Sequence, residues 1–331
     1  MKIGSIVLGT FLLITSAGFA QQGPKLFKIQ RTIPVSGNGF WDYLTFDNAT
    51  QRLFVSHGDR VQVIDKKSGM EIGVIKPTPG VHGIAIGDSG KGFISCGGVD
   101  SVVVFDLKTY KITGTIPTGK DPDAIVFDRF TNRVFAFNSK GNSATVIDAS
   151  TNDVLSTIRF RGNPEFAASD GSGSLYVNIE NLGIVMKIDV TTLETKAMYP
   201  IGSDKKPTGM ALDKGSNLLF CGCSGTNELV VLSLISGEVI ATVPIGMHCD
   251  GVSFMPAQSE IYTSNGEGTI TVIHQDAPDK YTKEQTVITK RGDRTITCDY
   301  VSRSLFLPVA EFNDVSKEYN KNSFQILVVG R

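Results

Sequence analysis

Four histidines and five cysteines supply most of the metal-binding and nucleophilic chemistry open to this 331-residue chain. His57, His82 and Cys96 form one grouping along the sequence, and Cys223, His248 and Cys249 form a second. Imidazole and thiolate are the donors that zinc, copper and related transition ions prefer. Carboxylates accompany both groupings (Asp42, Asp123, Glu165 and Asp250), together with Arg294 and the single tryptophan, Trp41. Such a set can hold a metal, use histidine as a general base, or form a recognition surface on which Trp41 is a ligand platform in preference to a packing residue. The plain alternatives are wet loop polarity and cysteine as a small buried filler, because neither trio has the close spacing of paired C-x-x-C motifs. A Cys223–Cys249 disulfide, or one through Cys221, is equally open. With Cys298 the cysteine count is odd, so at least one thiol is unpaired, intermolecular or ligated. The chain has no G-x-S-x-G elbow, phosphate-cradling GxxxxGK[ST] loop, C-x-x-C-H haem site or EF-hand loop.

The elements that must position these residues emerge from internal repetition. Short apolar runs ending in an acidic turn recur: Tyr43–Asp47, Gly83–Asp88, Ala124–Asp128, Phe166–Asp170, Gly209–Asp213, Gly251–Met255 and Thr295–Asp299. Their ends are 41, 40, 42, 43, 42 and 44 residues apart. Each unit holds four strand-like runs of four to six residues, rich in Val, Ile, Phe and Tyr and separated by Asp, Gly, Ser and Asn turns. No convincing helical periodicity follows the N-terminal segment. This is the pattern of an all-β, seven-bladed β-propeller of four-stranded antiparallel blades. The last unit lacks a fourth strand, whereas Phe27–Gly37 matches the fourth-strand pattern with no unit before it. The N-terminal strand is therefore expected to complete the last blade.

Arg133–Ile158 resembles the YVTN-type β-propeller repeat of YncE-like exported bacterial proteins, and the similarity extends over the mature chain. Ser233 and His274 depart from the usual aspartate at the third strand's end, and Gln275–Gln285 reads as an insertion in the sixth unit. The resemblance implies a periplasmic or secreted propeller and brings no shared catalytic motif.

In a meander, the loops after strands two and four share one face. His57, His82, His248, Cys96, Cys223 and Cys249 all fall there, with His274 on the other face. Propellers commonly bind at one mouth of the central channel, so this face is the expected site. Asp65, Asp106, Asp148 and Asp189, ending third strands on the opposite face, read as hairpin-turn residues. A basic outer ring (Lys120, Arg161, Lys205, Lys206, Lys290 and Arg291) surrounds the acidic inner one.

Residues 1–20 read as a secretory signal: Lys2, an apolar run from Ile6 to Ile14, then Gly18 and Ala20 before a cut at Gln21. Residues 21–331 are then the propeller, working outside the cytoplasm with no further membrane span. A net charge of −1 argues against nucleic acid as partner. The expectation is a monomeric, non-enzymatic binding or scaffold propeller for a small molecule or envelope protein, needing no cofactor. Its rival is a metal-assisted hydrolase or lactonase, or an oxidoreductase-like propeller, with a transition metal as the one candidate cofactor. The enzyme reading expects at least two of His57, His82 and His248 to converge.

Overall fold

The computed structural model describes residue 1, residues 26–292 and residues 294–331; the secretory-signal segment lies outside the described residues, apart from Met1. Seven four-stranded antiparallel sheets account for nearly all regular structure. In the first six blades the strands follow chain order from the channel outwards, as in Trp41–Asp47, Arg52–His57, Arg60–Asp65 and Glu71–Ile75 of blade 1. The innermost strands of blades 2 to 6 are Val81–Ile86, Pro122–Asp128, Pro164–Ser169, Pro207–Asp213 and Cys249–Met255. Blade 7 is built from Thr297–Asp299, Ser304–Val309, Gln325–Gly330 and, outermost, Lys28–Pro34. That last strand pairs antiparallel with Gln325–Gly330, Ile33 opposite Ile326 and Thr32 opposite Leu327. The ring is thereby joined by backbone hydrogen bonds between the two ends of the chain, which leaves no long unpaired edge there.

The middle strands of each blade are packed on both faces by neighbouring blades, so they carry apolar residues with little alternation. Arg133–Asn138 is buried at every position after its first, and Leu218–Cys223 throughout. Each of the large buried side chains between blades, such as Phe54, Phe135, Phe137 and Phe220, contributes about 1.5–3 kcal/mol of transfer free energy. Outermost strands, in contrast, expose most of their residues, as in Val154–Arg159. Gln275–Gln285 does not form a looped insertion: it belongs to a lengthened hairpin, Thr269–Ala277 paired with Lys280–Ile288. The extra residues extend the existing ladder, which satisfies their backbone groups.

Close approach of the innermost strands is set by small residues. A Cβ on Gly209 would lie 2.7 Å from the Val252 nitrogen, and one on Gly251 would lie 2.9 Å from the Ile296 nitrogen. Side chain to backbone bonds tie successive blades at the same level. Thr45 Oγ1 donates to the Ile84 carbonyl at 2.8 Å, Thr208 Oγ1 to Cys249 at 2.6 Å and Thr295 Oγ1 to Asp42 at 2.9 Å. On the opposite face the turn aspartates accept from nearby amides: Asp148 Oδ1 from Ser150 at 2.7 Å, Asp189 Oδ1 from Thr191 at 2.8 Å.

Candidate functional site

Each innermost strand presents three successive residues to the channel mouth, and the period-two alternation of a strand gives them different surroundings. The first residues are Trp41, Val81, Pro122, Pro164, Pro207 and Cys249, all buried and each paired with the last residue of strand two. Those partners are His57, Cys96, Asn138, Ile179, Cys223 and Asn265, every one fully buried. The second residues are Asp42, His82, Asp123, Glu165, Thr208 and Asp250, and Arg294 occupies the matching place before the short inner strand of blade 7. A one-residue phase thus divides the sequence-predicted set into two populations.

The buried population does not form the expected metal trios. His57 is enclosed, its ring centroid 4.3 Å from that of Phe324 and its Nδ1 2.8 Å from Gln62 Oε1. Burial lowers its pKa, so it is a neutral core histidine. Cys96 is buried between blades and its thiol is pushed up to about 12 by desolvation. Cys223 and Cys249 are likewise buried in apolar clusters, and burial raises the Cys249 thiol further. All five cysteines are free thiols, so neither Cys223–Cys249 nor a bridge through Cys221 is formed. His248 is exposed in a loop with φ of 60° and joins no metal-spaced grouping among the described residues. Among the described residues the one grouping with metal-ligand spacing is Asp42, His82 and Asp123, and it contains none of the other histidines or cysteines. Trp41 is not a ligand platform: it is 5% exposed, with ring centroids 4.7 Å from Tyr319 and 5.4 Å from Phe324. Its first position in the strand turns the indole into the packing between blades 1 and 7.

The second population converges. His82 Nδ1 lies 2.7 Å from Asp42 Oδ2 and 3.7 Å from Asp123 Oδ1. Arg294 Nη1 lies 3.5 Å from Asp250 Oδ2 and 4.0 Å from Asp42 Oδ1, with its guanidinium 4.3 Å from the Phe40 ring centroid. Burial alone would lower the His82 pKa, but the Asp42 hydrogen bond and the fields of Asp123, Asp42 and Asp121 outweigh it and raise it to about 8. Desolvation, then Asp42, lifts Asp123 to about 7, against the pull of His82. Desolvation and the fields of Asp123 and Asp250 lift Glu165 to about 9; desolvation and Asp42 lift Asp250 to about 6, against the pull of Arg294. Carboxylates with too few donors share their strain in this way.

Sequence reasoning overlooked the floor and rim. Tyr43 of blade 1 and Phe166 of blade 4 belong to blades that are not neighbours, yet their rings sit 5.9 Å apart, spanning the channel. Burial and the fields of Asp123, Asp42, Glu165 and Asp250 keep the Tyr43 phenol protonated. These are the two aromatics among third residues that are otherwise Gly83, Ala124, Gly209, Gly251 and Thr295, a contrast already visible in the aligned repeats. Glu180 and Tyr319 join Glu165, His248, Asp250 and Arg294 around a recess of about 360 Å³. Tyr319 belongs to a small hairpin, Phe312–Asn313 with Glu318–Tyr319, inserted in blade 7. The resulting cup has an aromatic floor, an acidic wall and one guanidinium.

No family model and no curated protein sequence matches the chain. Solved structures do match it in shape. A chain of the mitotic checkpoint complex superposes with a TM-score of 0.76 at 14% identity, covering 99% of both chains. The WD40 repeats of RRP9 give 0.75 at 12%, covering 91% of this chain and 97% of that one. A chain of Kuenenia stuttgartiensis hydrazine synthase gives 0.73 at 15%, covering 87% and 96%. At such identities the likeness concerns shape alone, and it supports the β-propeller fold.

Proposed function

We propose that this propeller is an exported binding protein of the YVTN type that takes a cationic ligand into the acidic mouth of its channel. One observation carries the reading: Asp42, Asp123, Glu165 and Asp250 gather at one end of the channel, and among the described residues His82 and Arg294 are the cations that pair with them. Crowding in a partly desolvated cup makes Asp123 and Glu165 hold their protons to about pH 7 and about pH 9, and a bound cation offsets that cost by stabilising the ionised forms. The same charge disfavours phosphate, hence nucleic acid. Export rests on the residue 1–20 pattern, and N-terminal sequencing of the secreted protein should begin at Gln21. No helix among the described residues is long and apolar enough to cross a membrane.

The direct test is thermal unfolding against a diamine such as putrescine, a neutral sugar and inorganic phosphate. The diamine should raise Tm and the other two should not. Glu165→Gln combined with Asp250→Asn should remove most of the shift. Stabilisation by phosphate instead would overturn the reading. The rival, a metal-assisted hydrolase or lactonase, draws on the Asp42–His82–Asp123 grouping, and it demands turnover of ester or lactone substrates that is lost in His82→Ala.

A further inference from the structure

We propose that Asp42, His82 and Asp123 form a binding site for one divalent first-row transition cation at the blade 1–3 side of the mouth. The inference rests on the reading of the mouth as a cation site and names the ion class that its tightest corner takes. Three blades contribute one ligand each, always from the second residue of the innermost strand, so the donors stand on rigid elements. One oxygen or nitrogen from each residue lies within 4.8 Å of the others. Two donors at about 2.1 Å from an ion, in tetrahedral or octahedral arrangement, are separated by about 3.0–3.4 Å. The observed 2.7 Å and 3.7 Å from His82 Nδ1 to Asp42 and Asp123 bracket that spacing. A small movement of the Asp42 and Asp123 side chains therefore suffices to seat an ion.

Several features point to a ligand beyond the three residues. Asp42 is 7% exposed, and its Oδ1 has only Arg294 nearby, at 4.0 Å, too far for a hydrogen bond. The backbone that carries the carboxylate is held from behind: its amide donates to Ser56 Oγ at 3.1 Å and its carbonyl accepts from Thr295. Beyond the far edge of the imidazole lies a third carboxylate, Asp121, not close enough to Nε2 for a hydrogen bond or an ion pair and acting on the ring through its field. A Cβ built on Gly97 would lie 2.5 Å from Asp121 Oδ1 and 3.1 Å from His82 Nε2, so glycine leaves a clear wedge between them. Asp121 is itself fixed by Ser139 at 3.1 Å and Lys140 at 3.0 Å. Asp121 thus adds negative charge behind the ring, which favours a cation at Nδ1. One imidazole with two carboxylates suits zinc, manganese or cobalt better than calcium, which seeks six to eight oxygens. On binding, the proton now held between His82 Nδ1 and Asp42 Oδ2 passes to solvent and the nitrogen lone pair takes the ion. Room left beside Glu165 and Asp250 stays open to water or an organic ligand.

The experiment is titration of the untagged, chelator-washed full mature chain with Co²⁺, read by calorimetry and by visible ligand-field absorption, with Zn²⁺ in competition. One Co²⁺ per chain is expected, displaced by Zn²⁺ and indifferent to Ca²⁺. His82→Ala and the near-isosteric Asp123→Asn should each weaken binding at least about tenfold while keeping the far-ultraviolet dichroism of the parent. His274→Ala, on the opposite face, should bind as the parent does. Equal binding by parent, His82→Ala and Asp123→Asn would overturn the site. So would an absence of Co²⁺ and Zn²⁺ binding at millimolar ion, and putrescine then separates the two readings. Stabilisation by the diamine leaves the cation mouth standing without its metal corner, and silence from both removes the mouth reading as well.

Discussion

His57 and His82 are the same residue type on the same face of the ring, and their surroundings give them opposite chemistry. His57, last residue of a second strand, is enclosed beside Phe324 and kept neutral by burial. His82, second residue of an innermost strand, keeps contact with solvent and two carboxylates that favour its charge. Replacing His57 with alanine should cost about 2–4 kcal/mol in urea unfolding, through the cavity and the stranded Gln62 acceptor, yet leave cation binding at the mouth intact. Loss of binding in a variant that unfolds like the parent would show that His57 belongs to the site. Glu165 supplies a second test, since its pKa is raised from 4.5 to about 9. A carboxyl with a raised folded pKa holds its proton more tightly when folded, so its contribution is complete below about pH 4 and fades as pH rises towards 9. Wild-type stability should therefore decline across that window, and Glu165→Gln should flatten the decline by roughly 1–2 kcal/mol, reduced by water in the cup. A steeper decline in the variant would contradict the assignment.

At the scale of strands and blades, the clasp is the element most open to test. Ile33, in the outermost strand of blade 7, is 2% exposed and packs in one cluster with Trp41, Leu44, Phe306 and Ile326. Ile33→Ala should cost about 2–5 kcal/mol, comparable with Ile326→Ala on the strand it pairs with. A cost near zero, measured by chemical denaturation, would mean that the strand frays from the ring. The seven units, their four strands and the mouth as the likeliest place for polar convergence were all legible, because turns and apolar runs recur at a nearly constant period. The phase within each strand was not. The ladder pairs Val81 with Cys96 as it pairs Trp41 with His57, so His82 matches Asp42 on the channel side and Val81 matches Trp41 in the packing. One residue in a strand exchanges packing face for channel face, which is why buried Trp41, His57, Cys96, Cys223 and Cys249 were grouped with exposed donors. Glu180 and Tyr319 escaped notice for another reason: they lie in a short turn and an inserted hairpin, where no repeat predicts position.

Over the whole molecule, 32 basic and 33 acidic residues nearly cancel, so no long-range field draws a ligand to the protein in general. Charge is segregated instead. Much of the basic ring around the mouth is neutralised locally: Lys205 pairs with Glu228, Lys290 with Glu311 at 3.1 Å and Arg291 with Asp314 at 3.4 Å. The acidic wall inside has no comparable set of partners; Asp123 and Glu165, raised to about 7 and about 9, add their charge as pH rises through those values, so the negative field of the cup strengthens over that range. Raising monovalent salt from about 0.01 M to about 0.1 M shortens the screening length from about 30 Å to about 10 Å. Association of a dication such as putrescine should slow several-fold over that range, with a smaller change in dissociation, because screening acts chiefly on the approach. Measured above about pH 9, where Glu165 is ionised, Glu165→Gln with Asp250→Asn removes half of the four-carboxylate wall and should flatten the salt dependence along with the affinity. Stopped-flow rates for both proteins at the two salt concentrations decide the matter. A salt-independent association rate in the parent would mean that the ligand is recognised by the Tyr43 and Phe166 floor, and that the acidic wall is incidental to capture.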